Sequence, residues 1–233
     1  WAVWMTANTC MWMNDVAAAW LMTTLDPRPV MVGLVQAAAT LPVFLLSLPS
    51  GALADILDRR RYFIATQLWV ALVAIILSLA TLGDLLSAPL LVALTFANGI
   101  GLAMRWPVFA ALVPELVPRT SLPASLALNG VAMNASRVIG PVLAGALIAS
   151  LGSAHVFMLN AVLSVLVALV LVRWRYPRRE SSLPGERFLG ALRVGVQHVR
   201  QSPGMWALML KVALLFFQAT ALLALLPLLA QQL

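Results

Sequence analysis

An all-α polytopic membrane protein is expected from this sequence on three grounds. The chain has 233 residues, of which 62% are hydrophobic and only 10% charged, whereas soluble domains run at roughly a quarter charged. The apolar residues fall in runs long enough to cross a bilayer, which takes about 20 residues each. The charges cluster at the ends of those runs, and the positive ones concentrate at every second junction.

Seven segments follow in order, within the window of about 17 to 25 residues plus an allowance for tilt. The first covers about residues 1–25, contains Asp15, and ends at Asp26-Pro27-Arg28. The second and third, about 30–54 and 62–83, hold no Asp, Glu, Lys or Arg, and between them lies the charged tract Asp55 to Arg61. A fourth, about 86–109, ends near Arg105-Trp106-Pro107, and a fifth, about 122–150, carries Arg137 within it. The sixth, about 154–172, is uncharged and opens onto a basic stretch, 173–204, broken by Pro177, Pro184 and Pro203. A seventh, about 205–231, completes the series.

Charge sets the topology. The junctions after segments two, four and six carry eleven arginines, and those after one, three and five carry only Arg28. By the positive-inside rule the even junctions are cytoplasmic, and so is the side from which the chain starts. The chain opens on Trp1, so further cytoplasmic residues are expected ahead of it. In the stretch 173–204, Phe188, Leu189, Leu192, Val196 and Val199 share one helical face, and Glu186, Arg193, Gln197 and Arg200 the other. Such a helix suits either the inner leaflet or the cytoplasmic ends of the bundle.

Several function classes are disfavoured. The net charge of +7 would point to nucleic acid in a polar chain, but here the cations mark helix ends, so no nucleic-acid partner is expected. Cys10 is the single cysteine, and His155 and His198 are the only histidines. Neither a metal set nor a Ser/His/Asp set can be assembled, so no enzyme activity, metal or cofactor is expected. His155, at the outer start of segment six, reads as an interfacial residue.

Certain stretches resemble a known family. Gly51, Leu53, Ala54, Asp55, Arg59 and Arg60 match the cytoplasmic loop motif of the major facilitator superfamily, with Ile56 in place of an Arg and Asp58 in place of a Gly. Gly140-Pro141-Val142-Leu143-Ala144-Gly145 is similar to the helix-five motif of its exporter branch, with Ala127 and Ser136 where that motif has glycines. Asn98-Gly99-Ile100-Gly101 resembles the core of its segment-four motif, with Thr95 where the family has Arg. Trp12 to Ala17, Pro114 to Pro118 and Asn134 to Pro141 resemble the subfamily of bacterial enterobactin exporters and related multidrug exporters.

The resemblance implies a twelve-segment protein in the bacterial cytoplasmic membrane. Residues 1–172 would be its six-helix N-terminal half, 173–204 the central loop and 205–233 the start of the second half. It also implies two three-helix repeats of inverted topology per half, with substrate near the midplane. The implied activity is proton-coupled export of small molecules. An importer of the same fold and a non-transporting scaffold or sensor are the alternatives. The partners would be a small-molecule substrate, protons, membrane lipids and the second half.

Asp15 is the leading mechanistic candidate, because a carboxylate inside a spanning segment is costly and marks function by default. It falls about 21 Å along segment one, and Arg137 about 20 Å along segment five, at 1.5 Å per residue. The family fold sets those helices side by side, so an Asp15–Arg137 ion pair or shared polar network facing the cavity is expected. Function there means that protonating Asp15 releases Arg137; a permanent interhelical lock is the plainer reading. Asn8, Gln36, Asn98, Asn129 and Asn134 are polar residues in apolar helices, suited to lining a cavity or to bonding between helices. Arg105 is expected to snorkel to the interface. Asp55 is expected to accept hydrogen bonds at a helix N-terminus, and Arg59, Arg60 and Arg61 to face anionic lipid or Glu115. The resemblance implies that the Gly51 tract latches the two halves together.

Overall fold

The computed structural model describes residues 1–174, 190, 197, 201–202, 204–212 and 214–215, the side chain of Asp55 excepted. Most of the predicted loop 173–204, with its amphipathic face, and most of the predicted segment 205–231 lie outside the described residues. Two compact units are distinguished, Trp1–Ser182 and Leu183–Leu233. In the second unit, residues 204–212 are helical, with the Trp206 N–H donating to the Ser202 carbonyl at 3.2 Å.

The first unit is built from α1 (Ala2–Leu25), α2 (Pro29–Ile56), α3 (Arg59–Leu82), α4 (Ala88–Leu116), a 3-10 turn (Arg119–Ser121), α5 (Leu122–Leu151) and α6 (Ser153–Arg173). Each element is stopped and started by local chemistry. Pro29 opens α2, where its missing N–H costs nothing. Asp58 caps α3, its Oδ1 accepting the Arg61 N–H at 2.9 Å. Gly152 alone joins α5 to α6 at φ +90°, a conformation that a side chain resists. Asp58→Ala is expected to cost about 1 kcal/mol through loss of this cap, read as a lower midpoint of thermal unfolding.

Helices α2 to α6 are long and apolar enough to cross a membrane. Helix α1, with 24 residues, has the length, about 36 Å, but Asn8, Asn14 and Asp15 lower its hydropathy. Most predicted segments agree with these helices to within a few residues. Helix α4 differs, continuing through Pro107 and Pro114 to Leu116 rather than ending near residue 109. Prolines are tolerated within spanning helices because neighbouring groups can satisfy the freed backbone; the last turns of α4 are also held by the Arg59 guanidinium, which donates to the Ala111 carbonyl at 3.3 Å.

The principal packed pairs are α2 with α4, α3 with α6, α1 with α5, α3 with α4 and α1 with α6. Exchanging α1 with α4, α2 with α5 and α3 with α6 turns this set into itself. Two three-helix repeats related by a two-fold produce that pattern. Both long crossings depend on a glycine. A Cβ on Gly99 of α4 would lie 2.8 Å from the Ala39 carbonyl of α2, and one on Gly140 of α5 would lie 2.5 Å from Trp12 Cβ of α1. Small residues at such points let the helix backbones approach.

The interior is layered along the helices. Met13, Ala17, Leu77, Leu91 and Phe157 belong to one apolar cluster, and Trp4, Phe63, Val108, Val167 and Leu171 to another. Between them along α1, α3, α4 and α6 come the buried polar residues Asn8, Gln67, Asn98, Arg105, Asn160 and Ser164. Outward-facing residues such as Phe44, Leu48, Leu72 and Leu79 are exposed, as expected where lipid is the solvent.

Candidate functional site

Along α1, Trp12, Asp15, Val16, Ala19, Trp20 and Thr23 recur at intervals of three and four and so form one stripe. That stripe, with Val32 and Gln36 of α2 and Arg137 and Pro141 of α5, walls an open cavity of about 510 Å³. Small-molecule sites typically enclose about 300–1,000 Å³. Two indoles, one carboxylate and one guanidinium give the wall aromatic surface and both signs of charge.

The predicted pair shares this cavity, but no ion pair or hydrogen bond joins Asp15 to Arg137. Asp15 Oδ1 is buried without a hydrogen-bond partner. Arg137 is exposed, and its Cζ lies 5.6 Å from the centroid of the Trp12 ring. The indole, one turn before Asp15 on the face toward α5, takes the guanidinium by a cation–π contact.

Of the predicted cavity-lining amides, only Gln36 lies on this wall. Asn134 is exposed and turns its amide back to the Gly130 carbonyl of its own helix at 2.9 Å. Asn129 is half-buried, its Oδ1 unpartnered. Asn8 and Asn98 sit inside the bundle instead. Asn8 meets Arg105 of α4, whereas Asp15 lies on the wall shared with α2 and α5.

Arg105 is the main correction. It does not snorkel, being only 2% exposed. Its Nη1 donates to the Ala7 carbonyl at 3.1 Å and its Nη2 to Asn8 Oδ1 at 3.3 Å, while Cζ lies 5.3 Å from the centroid of the Trp4 ring. That ring stacks on Phe109 with centroids 3.6 Å apart. Because α4 runs on to Leu116, Arg105 lies about 16 Å from the helix end, too deep to reach the interface. Sequence reasoning misses Asn14, Gln67 and Asn160, although each is an amide in an apolar helix, the signal that marked Asn8. Asn160 donates to Asn14 Oδ1 at 3.2 Å and accepts from the Ser164 hydroxyl at 3.3 Å.

The loop tract works at one end of the bundle. Arg59 forms an ion pair with Glu115, the acidic partner anticipated for this tract, and reaches the Ala54 carbonyl at 3.3 Å. Arg60 donates to the Leu171 carbonyl at 2.8 Å and to that of Val172, placing a cation on the negative end of α6. Leu53 packs into the core, while a Cβ on Gly51 would meet nothing. The expectation for the Asp55 side chain lies outside the described residues. Near the start of α2, Arg28 grips Asp26 through Nε at 2.9 Å and Nη2 at 2.6 Å. That hydrogen-bonded guanidinium holds the Asp26 carboxyl below its usual range, so Arg28, the sole cation of the odd junctions, is neutralised by its neighbour.

The chain is similar to several known transporters. The Staphyloferrin A transporter of Staphylococcus aureus is 28% identical over 165 residues, covering 69% of this chain and 41% of the relative. YfiS of Bacillus subtilis, an uncharacterized MFS-type transporter, is 26% identical over 199 residues, covering 82% and 46%. Macrolide efflux protein A of Enterococcus faecalis is 25% identical over 183 residues, covering 77% and 56%. The chain spans about half the length of these relatives. Residues 1–233 match throughout the family described as transmembrane secretion effector. With its repeat-like helix packing and loop motif, the chain belongs to that family of the major facilitator superfamily, the transporters.

Proposed function

We propose that this chain is the first half, with the start of the second, of a proton-coupled exporter of small molecules that works by alternating access in a bacterial cytoplasmic membrane. The observation that carries the reading is the cavity of about 510 Å³ shared by Asp15 and Arg137. Its carboxylate has one oxygen without a partner, free to take a proton or a cationic group. An intramembrane acid open to a cavity is the usual mark of an ion pathway. The second half closes the cavity, and the Gly51 tract sits at its cytoplasmic latch, with the N-terminus on the cytoplasmic side. Export is favoured over import by the Gly140-Pro141 motif and by the efflux activity named for one relative.

The test is efflux of fluorescent amphiphiles, a macrolide and a catecholate siderophore from cells expressing the whole transporter, with and without an uncoupler. Efflux that collapses with the uncoupler is expected. Efflux indifferent to it overturns proton coupling, and gradient-driven uptake of the same compounds overturns export.

A further inference from the structure

A second, far smaller cavity lies within the polar layer, apart from the one that holds Asp15. Its volume is about 10 Å³, and its walls include Ala7, Asn98, Arg105, Asn160 and Ser164. These four polar residues are 2–4% exposed. Asn160 and Ser164 already bond to each other. Arg105 Nε and Asn98 Oδ1 are both buried without a partner, one a donor and the other an acceptor.

The two residues with orphan atoms wall the same cavity, and the helix sets their spacing. Asn98 and Arg105 are seven residues apart on α4, two turns or about 10.5 Å. Helical side chains lean toward the N-terminus, so the long Arg105 side chain reaches back toward Asn98 without touching it. A ligand joining them must accept from an N–H and donate to an amide oxygen.

We propose that this cavity binds one water molecule, which accepts from Arg105 Nε and donates to Asn98 Oδ1, with the Ser164 hydroxyl as a third partner. Size and chemistry both select it. A single water needs about 10–15 Å³ and two to four polar partners. A halide would satisfy the guanidinium but would leave the Asn98 oxygen unpaired and face the Ala7 carbonyl. The bound water joins Arg105 to Asn160 and, through it, to Asn14, the residue beside Asp15. Arg105 becomes a positioning residue that ties α1, α4 and α6 into one unit, independent of whether Asp15 couples protons.

The experiment is a structure of the intact protein in lipid nanodiscs at a resolution that shows ordered water, together with a bromide-soaked crystal read by anomalous scattering. One peak about 2.8–3.2 Å from both Arg105 Nε and Asn98 Oδ1 is expected, by ordinary hydrogen-bond lengths, with no anomalous signal. No peak in the parent protein overturns the site, and a bromide signal there replaces water by an anion. Asn98→Leu should remove the peak and Asn98→Ser, which keeps an oxygen, should retain it. A peak that persists unchanged in the Leu variant also overturns the bridge.

Discussion

Gly140→Ala is expected to destabilise the six-helix unit by about 1–3 kcal/mol, the usual cost of forcing a methyl group into a packed contact. The added Cβ would stand 2.5 Å from Trp12 Cβ, 3.1 Å from the Thr9 carbonyl and 3.3 Å from the Met13 amide nitrogen. None of these atoms is the far end of a flexible side chain, so α1 and α5 must separate. That separation also moves Trp12, the residue on which Arg137 rests, so substrate affinity should fall with stability. Gly145→Ala five residues on is the control, because nothing lies within 4 Å of a Cβ there. In a helix interior that change should be neutral or gain about 0.5–1 kcal/mol. Thermal unfolding of the two variants in nanodiscs decides the matter, and equal midpoints would show that the α1–α5 crossing is looser than described.

Asp15→Asn is expected to erase the pH dependence of substrate affinity, a linkage of about 5- to 150-fold if it resembles other two-site couplings. Asn preserves the shape of the side chain and removes its titration. The unpartnered Oδ1 makes the change tolerable, since no ion pair to Arg137 is broken. Substrate binding measured as a function of pH should vary in the parent protein and stay level in the variant. A variant that keeps the parent's pH dependence would overturn the proposed role of Asp15.

Much of the fold was legible because lipid imposes a simple code. Apolar length gave the helices, and the clustered arginines marked junctions between them. The end of α4 was not legible, since Pro107 reads as a terminator in water and is absorbed within a packed bundle. Arg105 was misplaced for the same reason: its depth depends on where its helix ends. The polar layer was half-visible, with Asn8 and Asn98 marked but Asn14, Gln67 and Asn160 passed over. Each amide stands out locally, and only tertiary packing reveals its partner. The expected Asp15–Arg137 pair shows the opposite limit. Depth along two helices brought both groups into one cavity, but the competing indole of Trp12 took the guanidinium, an outcome that side-chain geometry decides.

The polar face of α1 also has a consequence for synthesis. Asn8 finds Arg105 97 residues later in the chain, and Asn14 finds Asn160 146 residues later. At about 5–20 residues per second, the second interval alone lasts about 7–30 s. Throughout that time Asn14 of α1 waits for the helix that answers it. Helix α1 therefore precedes α4 and α6 in synthesis but completes its polar contacts only with them.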